Sequence, residues 1–218
     1  MKAIEVKNLS KTIKGHQILN NISFEIENGD FVGIIGRNAS GKSMLFKALT
    51  GLIIFTGYVA IFNKEVGIKG NFPDSIGCLI ERPGFISHYS GFVNLKFLAG
   101  IRNIISENDI KLIMENVGLD PSDKRPYHKY SLGMRQKLGI AQAIMEDPKL
   151  IFLDEPMNNL DEESVVQMRA LFKTYHQRGT TFILTSHNKD DIQCLCSQVY
   201  TITNGELIEN KLEVMKYE

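Results

Sequence analysis

Residues 36–43 read GRNASGKS and fit the pattern G-x-x-x-x-G-K-[ST], in which the backbone N–H groups of a glycine-rich loop bind phosphate. The positive end of the helix that follows such a loop points at the phosphates. In this pattern Lys42 reaches the outer phosphates and the Ser43 hydroxyl binds Mg²⁺. The alternative is a glycine-rich turn that matches by chance. The predicted nucleotide contacts are Gly36, Arg37, Asn38, Ala39, Ser40, Gly41, Lys42, Ser43 and Met44.

A second candidate is the acidic pair that follows the apolar run at 150–153. The carboxyl end of a buried parallel strand lies beside the ligand crevice in α/β sheets. Asp154 is therefore placed to hold Mg²⁺ through water. Glu155 can act as the general base for an attacking water, or orient that water. The alternative is an ordinary acidic turn at the end of a strand.

The histidine at position 187 follows another apolar run, at 181–185. A neutral imidazole at the end of that strand can hydrogen-bond a γ-phosphate oxygen or the attacking water. A lone histidine is more often a helix cap or a surface group. That second interpretation is the one we expect for the other four: His16, His88, His128 and His176.

Hydrophobic periodicity predicts the elements that must position these residues. The run at 31–35 predicts a strand before the loop, and Met44, Leu45, Ala48 and Leu49 predict a helix after it. The first third predicts antiparallel strands, the middle predicts helices, and the last third returns to strand and helix in alternation. The other predicted elements are strands at 3–7, 19–26, 57–63, 76–80, 150–153 and 181–185, helices at 92–99, 106–117, 131–145 and 161–177, and a closing hairpin at 199–208.

Composition narrows the class of protein. The chain has 218 residues with 25 Lys+Arg and 25 Asp+Glu, so it lacks the basic excess typical of a nucleic-acid binder, and we expect no nucleic-acid partner. Three cysteines, Cys78, Cys194 and Cys196, predict reduced thiols rather than a disulfide framework. There is no signal-peptide pattern and no run of 18 apolar residues. If the protein works at a membrane, another chain is expected to span it.

Three further motifs carry a family resemblance. Residues 131–136, SLGMRQ, resemble the signature segment of ABC transporter nucleotide-binding subunits; Asn159-Leu160-Asp161 resembles their D-loop; and Ser186-His187 resembles their switch histidine. The five motifs follow the family order over the whole chain. The resemblance implies an ABC-type α/β P-loop NTPase fold, with a mixed sheet core, an antiparallel β subdomain and an inserted helical subdomain. It implies one domain over 1–218, with the core at 1–82 and 147–218 and the helical subdomain at 83–146.

The resemblance also implies an activity and partners. The activity is hydrolysis of ATP with Mg²⁺, with Lys42, Glu155 and His187 as catalytic residues. Nucleotide contacts outside the phosphate loop are expected from Ile13, Ser131, Gly133, Gln136 and Asp161. In the family, the signature segment binds the γ-phosphate held by a second subunit, which implies a head-to-tail dimer, here expected to be a homodimer. The other implied partner is a multi-span membrane permease, which places the chain peripherally on the cytoplasmic side of the cell membrane.

The sequence departs from the family pattern at several positions. Ile13 stands where an adenine-stacking aromatic is usual, and Ala39 stands where the phosphate loop usually has glycine, so it needs a compatible φ. Glu81 replaces the usual Gln that touches Mg²⁺ or water; it is predicted as a metal contact, with a salt bridge to Arg82 or Lys96 as the alternative. The segments around Glu81 and Ser131 resemble the bacitracin and lantibiotic exporters, which suggests antimicrobial peptides or drugs as cargo and antibiotic resistance as a role.

Two alternative functions remain at this point. One is a non-transport ABC ATPase that acts on nucleic acid or ribosomes, although the chain lacks the usual coiled-coil insertion or second ATPase half. The other is a nucleotide-gated regulatory module with little turnover.

Three aromatics after Glu81, namely Phe85, Tyr89 and Phe92, either form a groove for a helix of the membrane subunit or pack in the core.

Overall fold

A computed structural model describes residues 1–67 and 72–210. The chain divides into two compact units, Met1–Asp74 with Thr181–Glu218, and Ser75–Thr180. Two parts of the predicted core, residues 68–71 and 211–218, lie outside the described residues. The elements are β1 (Lys2–Ile13), β2 (His16–Glu27), β3 (Phe31–Ile35), α1 (Lys42–Leu49), β4 (Thr56–Ile61), β5 (Lys64–Glu65), β6 (Ile76–Leu79), α2 (Gly91–Arg102), α3 (Glu107–Asn116), α4 (Leu132–Ile144), β7 (Leu150–Asp154), α5 (Glu162–Gln177), β8 (Thr181–Thr185), α6 (Lys189–Leu195), β9 (Gln198–Thr203) and β10 (Glu206–Asn210).

The first unit contains an antiparallel sheet in the order β2-β1-β4-β5. Along β2 the side chains of Ile22, Phe24 and Ile26 are buried and those between them are exposed. This period of two is that of a strand with one face on a core and one in solvent. The sheet is therefore the antiparallel β region that the alternating sequence predicted.

The same unit holds the strands that lead to the phosphate loop, in the order β10-β9-β3-β8. β3 pairs in parallel with both β8 and β9, whereas β10 is antiparallel to β9, so the sheet is mixed. Phe31 and Phe182 stack with ring centroids 4.6 Å apart. Because Ile34 pairs with Thr185, the loops that follow β3 and β8 start at the same edge of this sheet.

The second unit is built around the parallel pair β6 and β7, with Ile76 opposite Leu150 and Leu79 opposite Leu153. Helix α4 packs against both strands. A Cβ at Gly77 would lie 1.7 Å from the carbonyl oxygen of Ala143, so glycine is required for this close approach. The carboxyl end of β7 carries the predicted acidic pair.

Most of the predicted elements are confirmed, including the helix predicted to begin at Ser106, which is the N-cap of α3 and forms a capping box with Asp109. The features that were missed include α6, β5, the extension of β1 to Ile13, and a 3-10 turn over Tyr127–Lys129. Helix α6 was missed because Asp190 and Asp191 interrupt a short apolar pattern. The predicted boundaries of the core and helical subdomains remain a prediction.

Candidate functional site

The phosphate loop, residues 36–43, connects β3 to α1 in the first unit. Lys42 begins the helix and is only 7% exposed. Its Nζ donates hydrogen bonds to the carbonyl oxygens of Gly36 at 2.7 Å and Arg37 at 3.2 Å. The ammonium is thus held against the backbone of the loop, which places a buried positive charge where the motif puts phosphate.

The loop leaves the N-terminus of α1 open to an anion. Gly41 is the N-cap, with φ at 112°, and no side chain of the described residues caps the helix. Uncapped N–H groups and the helix dipole together favour a negative ligand. A Cβ at Gly36 would lie 2.5 Å from the carbonyl oxygen of Ile202, so the loop begins where only glycine fits. Ala39 has φ at 62°, the left-handed conformation expected for a position usually held by glycine.

An orphaned polar atom inside the loop fits a phosphate ligand. Within residues 1–67 and 72–210, Ser40 Oγ is one of the few buried side-chain oxygens without a hydrogen-bond partner, and such atoms normally have one. Cavities of about 370 Å³ lie on two sides of the loop. One is lined by residues 37–40 with Ile18 and Asn204, and the other by Gly36 and His187 among others. The described geometry therefore suits a nucleoside phosphate.

The loop that carries His187 is fixed by a buried carboxylate. Ser186 Oγ donates to Asp191 Oδ2 at 2.8 Å, and the N–H of Asn188 donates to Ser186 Oγ at 3.0 Å. Asp191 is 1% exposed, whereas His187 is exposed. The imidazole stands on a hydrogen-bonded turn and shares a cavity with Gly36. That Asp191 holds this turn was not predicted from the sequence. The available signal was its position five residues after Ser186, at the start of a short helix.

The predicted base contact, Ile13, ends β1 opposite His16 and is partly exposed. Two of the remaining histidines bond to backbone, as expected for structural groups: His128 Nδ1 lies 2.9 Å from the carbonyl oxygen of Ser87, and His176 Nδ1 lies 3.4 Å from that of Thr180.

In the second unit, the acidic turn, residues 154–159, follows β7. Asp154 is buried at the end of the strand, and Glu155 has φ at 50°, in the left-handed region that non-glycine residues rarely adopt. Gln136 Nε2 donates to the carbonyl oxygens of Glu155 and Pro156, both at 3.0 Å. A side chain from α4 therefore holds the backbone of this turn.

The signature segment, residues 131–136, opens α4 in the same unit. Ser131 is the exposed N-cap, and its Oγ accepts from the N–H of Met134 at 3.1 Å. A Cβ at Gly133 would lie 2.9 Å from the carbonyl oxygen of Asn159, which explains the glycine. Leu132, in place of the usual glycine, is 61% exposed and so does not disturb the packing of the unit.

Asp161 is the N-cap of α5, where its Oδ1 accepts from the N–H of Ser164 at 2.8 Å. Hydrogen bonds from Ser164 hold the pKa of the Asp161 carboxyl below its usual value, and the charge of Lys137 adds to this. The carboxylate is therefore ionised at neutral pH and stabilises the positive end of the helix.

Glu81 follows β6, is exposed and has φ at 57°. Lys96, one of its two predicted salt-bridge partners, pairs with Glu107 at 2.5 Å. Of the three aromatics beyond it, Tyr89 is exposed, while Phe85 and Phe92 are half-buried. Phe85 packs edge-on against Tyr127, with ring centroids 5.1 Å apart. Core packing therefore accounts for part of the aromatic cluster.

The described residues form no cluster of three or more His, Cys, Asp or Glu side chains suited to a metal ion. A cation held by few protein ligands would take the rest from nucleotide oxygens and water, as Mg²⁺ usually does.

Burial raises the pKa of Cys196 to about 12, so this thiol stays protonated. No helix in the part of the chain that the structure describes is long and apolar enough to cross a membrane.

A protein-family model described as ABC transporter matches residues 19–158. The ABC transporter ATP-binding protein YybJ of Bacillus subtilis (strain 168) is 41% identical over 98% of this chain and 98% of its own length. Bacitracin transport ATP-binding protein BcrA of Enterococcus faecalis is 36% identical and covers 94% of this chain and 68% of its own. Lantibiotic transport ATP-binding protein SrtF of Streptococcus pyogenes is 34% identical over 95% and 90%.

Solved structures agree with the fold. A dimeric ATP-binding cassette in a post-hydrolysis state, bound to ADP and Pi, superposes with a TM-score of 0.87 at 22% identity, over 96% of this chain and 98% of that one. An ATP-binding cassette of an ABC transporter in its ADP conformation gives 0.80 at 23% identity, over 97% and 91%. At this identity the likeness confirms the α/β cassette fold.

Proposed function

Since the chain belongs to the ABC transporter family and is one of its ATP-hydrolysing subunits, we propose that Lys42, Asp154, Glu155 and His187 carry out that hydrolysis. The observation that carries the proposal is the phosphate loop. It combines a buried ammonium, an uncapped helix N-terminus and an orphaned Ser40 hydroxyl, and these three features suit the triphosphate of ATP.

Each residue of the loop has a separate role in binding. Backbone N–H groups of residues 36–44 bind the phosphates, and Lys42 neutralises the charge that develops during transfer. Ser43 and Asp154 would hold Mg²⁺, with Glu81 as an additional contact; the ion supplies further charge neutralisation. Ile13 would contact the adenine through an aliphatic side chain, which is weaker than aromatic stacking.

Hydrolysis then depends on how the attacking water is oriented. Glu155 acts as the general base, because it follows the metal-binding Asp154 at the end of a buried strand. His187 hydrogen-bonds the γ-phosphate or the water from a turn that Ser186 and Asp191 fix. A group held on a rigid turn loses little entropy on reaching the reactive geometry.

The second subunit supplies the remaining contacts. Ser131 and Gly133 lie at the exposed start of α4, where the helix dipole favours an anion. We propose that they bind the γ-phosphate of a second copy of the chain, with Gln136 and Asp161 nearby. Two copies related by a two-fold axis then hold two ATP molecules, which is the closed symmetry of most homodimers.

Mixing two inactive variants tests this arrangement. Lys42→Ala removes the phosphate contact, and Ser131→Arg blocks the signature segment. In a two-fold dimer, a mixed pair has one site with both defects and one site with neither. An equimolar mixture should therefore regain roughly a quarter of wild-type turnover, because half of the dimers are mixed. No recovery would contradict the composite site.

We propose a multi-span permease as the membrane partner, which would place the chain on the cytoplasmic face. The names of BcrA and SrtF suggest a bacitracin-like or lantibiotic-like peptide as cargo. They give no support to a nucleic-acid or ribosomal role. Expression with the permease of a neighbouring reading frame should raise resistance to such a peptide in a sensitive strain, and the Lys42→Ala variant should not. Equal resistance with the wild-type chain and with the Lys42→Ala variant would contradict energy-dependent export.

A further inference from the structure

The backbone at Glu155 is held in a conformation that needs support. Its φ of 50° lies in the left-handed region, which costs a non-glycine residue of order 1 kcal/mol or more unless the surroundings compensate. Asn159, at the end of the same turn, also has a positive φ, 63°, but asparagine adopts this conformation readily. Glu155, the residue proposed as the general base, is thus the one whose backbone conformation its residue type does not favour.

Helix α4 contacts this turn at two points. Gln136 Nε2 donates to the carbonyl oxygens of Glu155 and Pro156, both at 3.0 Å. One turn earlier on the helix, Gly133 lies so close to the carbonyl oxygen of Asn159 that a Cβ would come within 2.9 Å. The two contacts hold both ends of the segment from Glu155 to Asn159 against the first two turns of α4.

These contacts assign the side chain of Gln136 a role that differs from the direct nucleotide contact expected from the sequence. Both carbonyl bonds come from its amide nitrogen, so its two N–H groups are directed at the backbone of the acidic turn. We propose that Gln136 is a positioning residue that keeps Glu155 in its left-handed conformation and thereby sets the direction of its carboxylate. The inference rests on the proposed role of Glu155 as general base.

The proposal also gives the signature segment a second task. The same helix begins with Ser131, the proposed contact to the partner's nucleotide. A rigid helix that carries Ser131 at its start and Gln136 five residues later joins that contact to the Glu155 turn of its own chain. ATP held by the partner subunit contacts Ser131 of this chain in the proposed dimer. Its binding can therefore affect Glu155 of this chain, which serves the other ATP site, through one helix.

Replacing Gln136 by methionine tests the role, because methionine keeps the length of the side chain and removes both donors. In the full-length chain we expect kcat to fall about 10- to 100-fold, since a small displacement of a catalytic group costs on the order of 100-fold. The KM for ATP should stay within about twofold, because a change in kcat alone marks an interaction of the transition state. Gln142→Met, on the same helix, is the matched control and should keep wild-type kcat.

A double-mutant cycle separates positioning from general destabilisation. In a Glu155→Gln background, Gln136→Met should lower the residual rate by less than about twofold, because residues that act as a unit are not additive. A full additional loss would show that Gln136 acts elsewhere and would overturn the proposal. A kcat for Gln136→Met equal to that of the Gln142→Met control would also overturn the proposal.

A second variant covers the case in which the methionine variant does not fold. Gln136→Lys keeps N–H donors on a side chain at least as long, and it should retain a kcat within about fivefold of wild type if a donor to the two carbonyl oxygens is what positions Glu155. If Gln136→Lys and Gln136→Met are equally slow, the donor is not what matters and the proposal fails. The proposed function fails separately, if Glu155→Gln itself turns over ATP at the wild-type rate.

Discussion

The phosphate loop and the acidic turn both place a non-glycine residue in the left-handed conformation, but they hold it in different ways. Ala39 in the loop has φ at 62°, and Glu155 in the turn has φ at 50°. The loop is fixed from within, by its glycines and by the bonds of Lys42 to carbonyls five and six residues away. The turn has a backbone hydrogen bond of its own, from the N–H of Asn158 to the carbonyl oxygen of Glu155 at 3.2 Å, but the side chain that binds its backbone comes from Gln136, which precedes Glu155 by 19 residues.

The residues that fix the phosphate loop lie within the loop itself, whereas the side chain that holds the acidic turn comes from a separate helix. A loop fixed by its own glycines and by Lys42 depends most on those residues. A turn held by a remote helix can be disturbed from that helix, without any change to the acidic residues. The first arrangement suits a phosphate site whose shape stays the same at every turnover, and the second suits a catalytic group that responds to a partner.

The largest effect is expected from Lys42→Ala. It removes the buried ammonium that contacts the loop carbonyls, and with it the charge that stabilises the transferring phosphoryl group. Turnover of ATP should fall more than about 100-fold, as for other electrostatic contacts to a transition state.

The matched control is Lys173→Ala, an exposed lysine on α5, for which steady-state release of phosphate should match wild type. A turnover for Lys42→Ala within tenfold of wild type would mean that the loop does not carry the phosphate chemistry.

A smaller effect is expected from Gly133→Ala. The new Cβ would lie 2.9 Å from the carbonyl oxygen of Asn159, so the acidic turn must shift. Overpacking of this kind costs about 1 to 3 kcal/mol, and we expect turnover to fall about tenfold together with a lower Tm.

Gly100→Ala provides the comparison within one unit. Gly100 lies inside α2 and a Cβ there would meet nothing within 4 Å, so alanine should raise the stability by up to about 1 kcal/mol through helix propensity. Turnover should not change. If both alanine variants behave alike in thermal unfolding and turnover, the close contact at Gly133 has no consequence.

The smallest effect is expected from Ala39→Gly. Glycine relieves the left-handed strain, which is of order 1 kcal/mol, but also increases the entropy of the unfolded chain, by about 0.4 to 1 kcal/mol, so the two effects nearly cancel. We expect turnover within twofold of wild type and a Tm shift of at most about 3 °C. A tenfold loss of turnover would show that the loop depends on its Ala39 side chain as well as on its backbone.

The same contrast explains how much the sequence could predict. The phosphate loop and its flanking strand and helix are specified locally, by glycine spacing and hydrophobic period, and all were predicted at the correct positions. The contacts of Gln136 and Asp191 were not, because each depends on a partner brought close only by the fold. A glutamine on a helix carries no local signal for which carbonyl it will bind.

The helical region shows the same limit. Helices were predicted to begin at Ser106 and near Ser131, and the structure has these two residues as the N-caps of α3 and α4. The role of Gly77 could not be predicted, because glycine in a strand has several explanations. Only the approach of the Ala143 carbonyl oxygen identifies the right one.

The central claim is that Glu155 activates water for ATP hydrolysis while taking no essential part in ATP binding. The most direct test is the turnover number of the Glu155→Gln variant, measured on protein shown to bind ATP and with wild type in parallel. The proposal predicts ATP affinity within about threefold of wild type, more protein in the dimeric form, and hydrolysis at least about 100-fold slower. Turnover near the wild-type rate in that variant would contradict the claim.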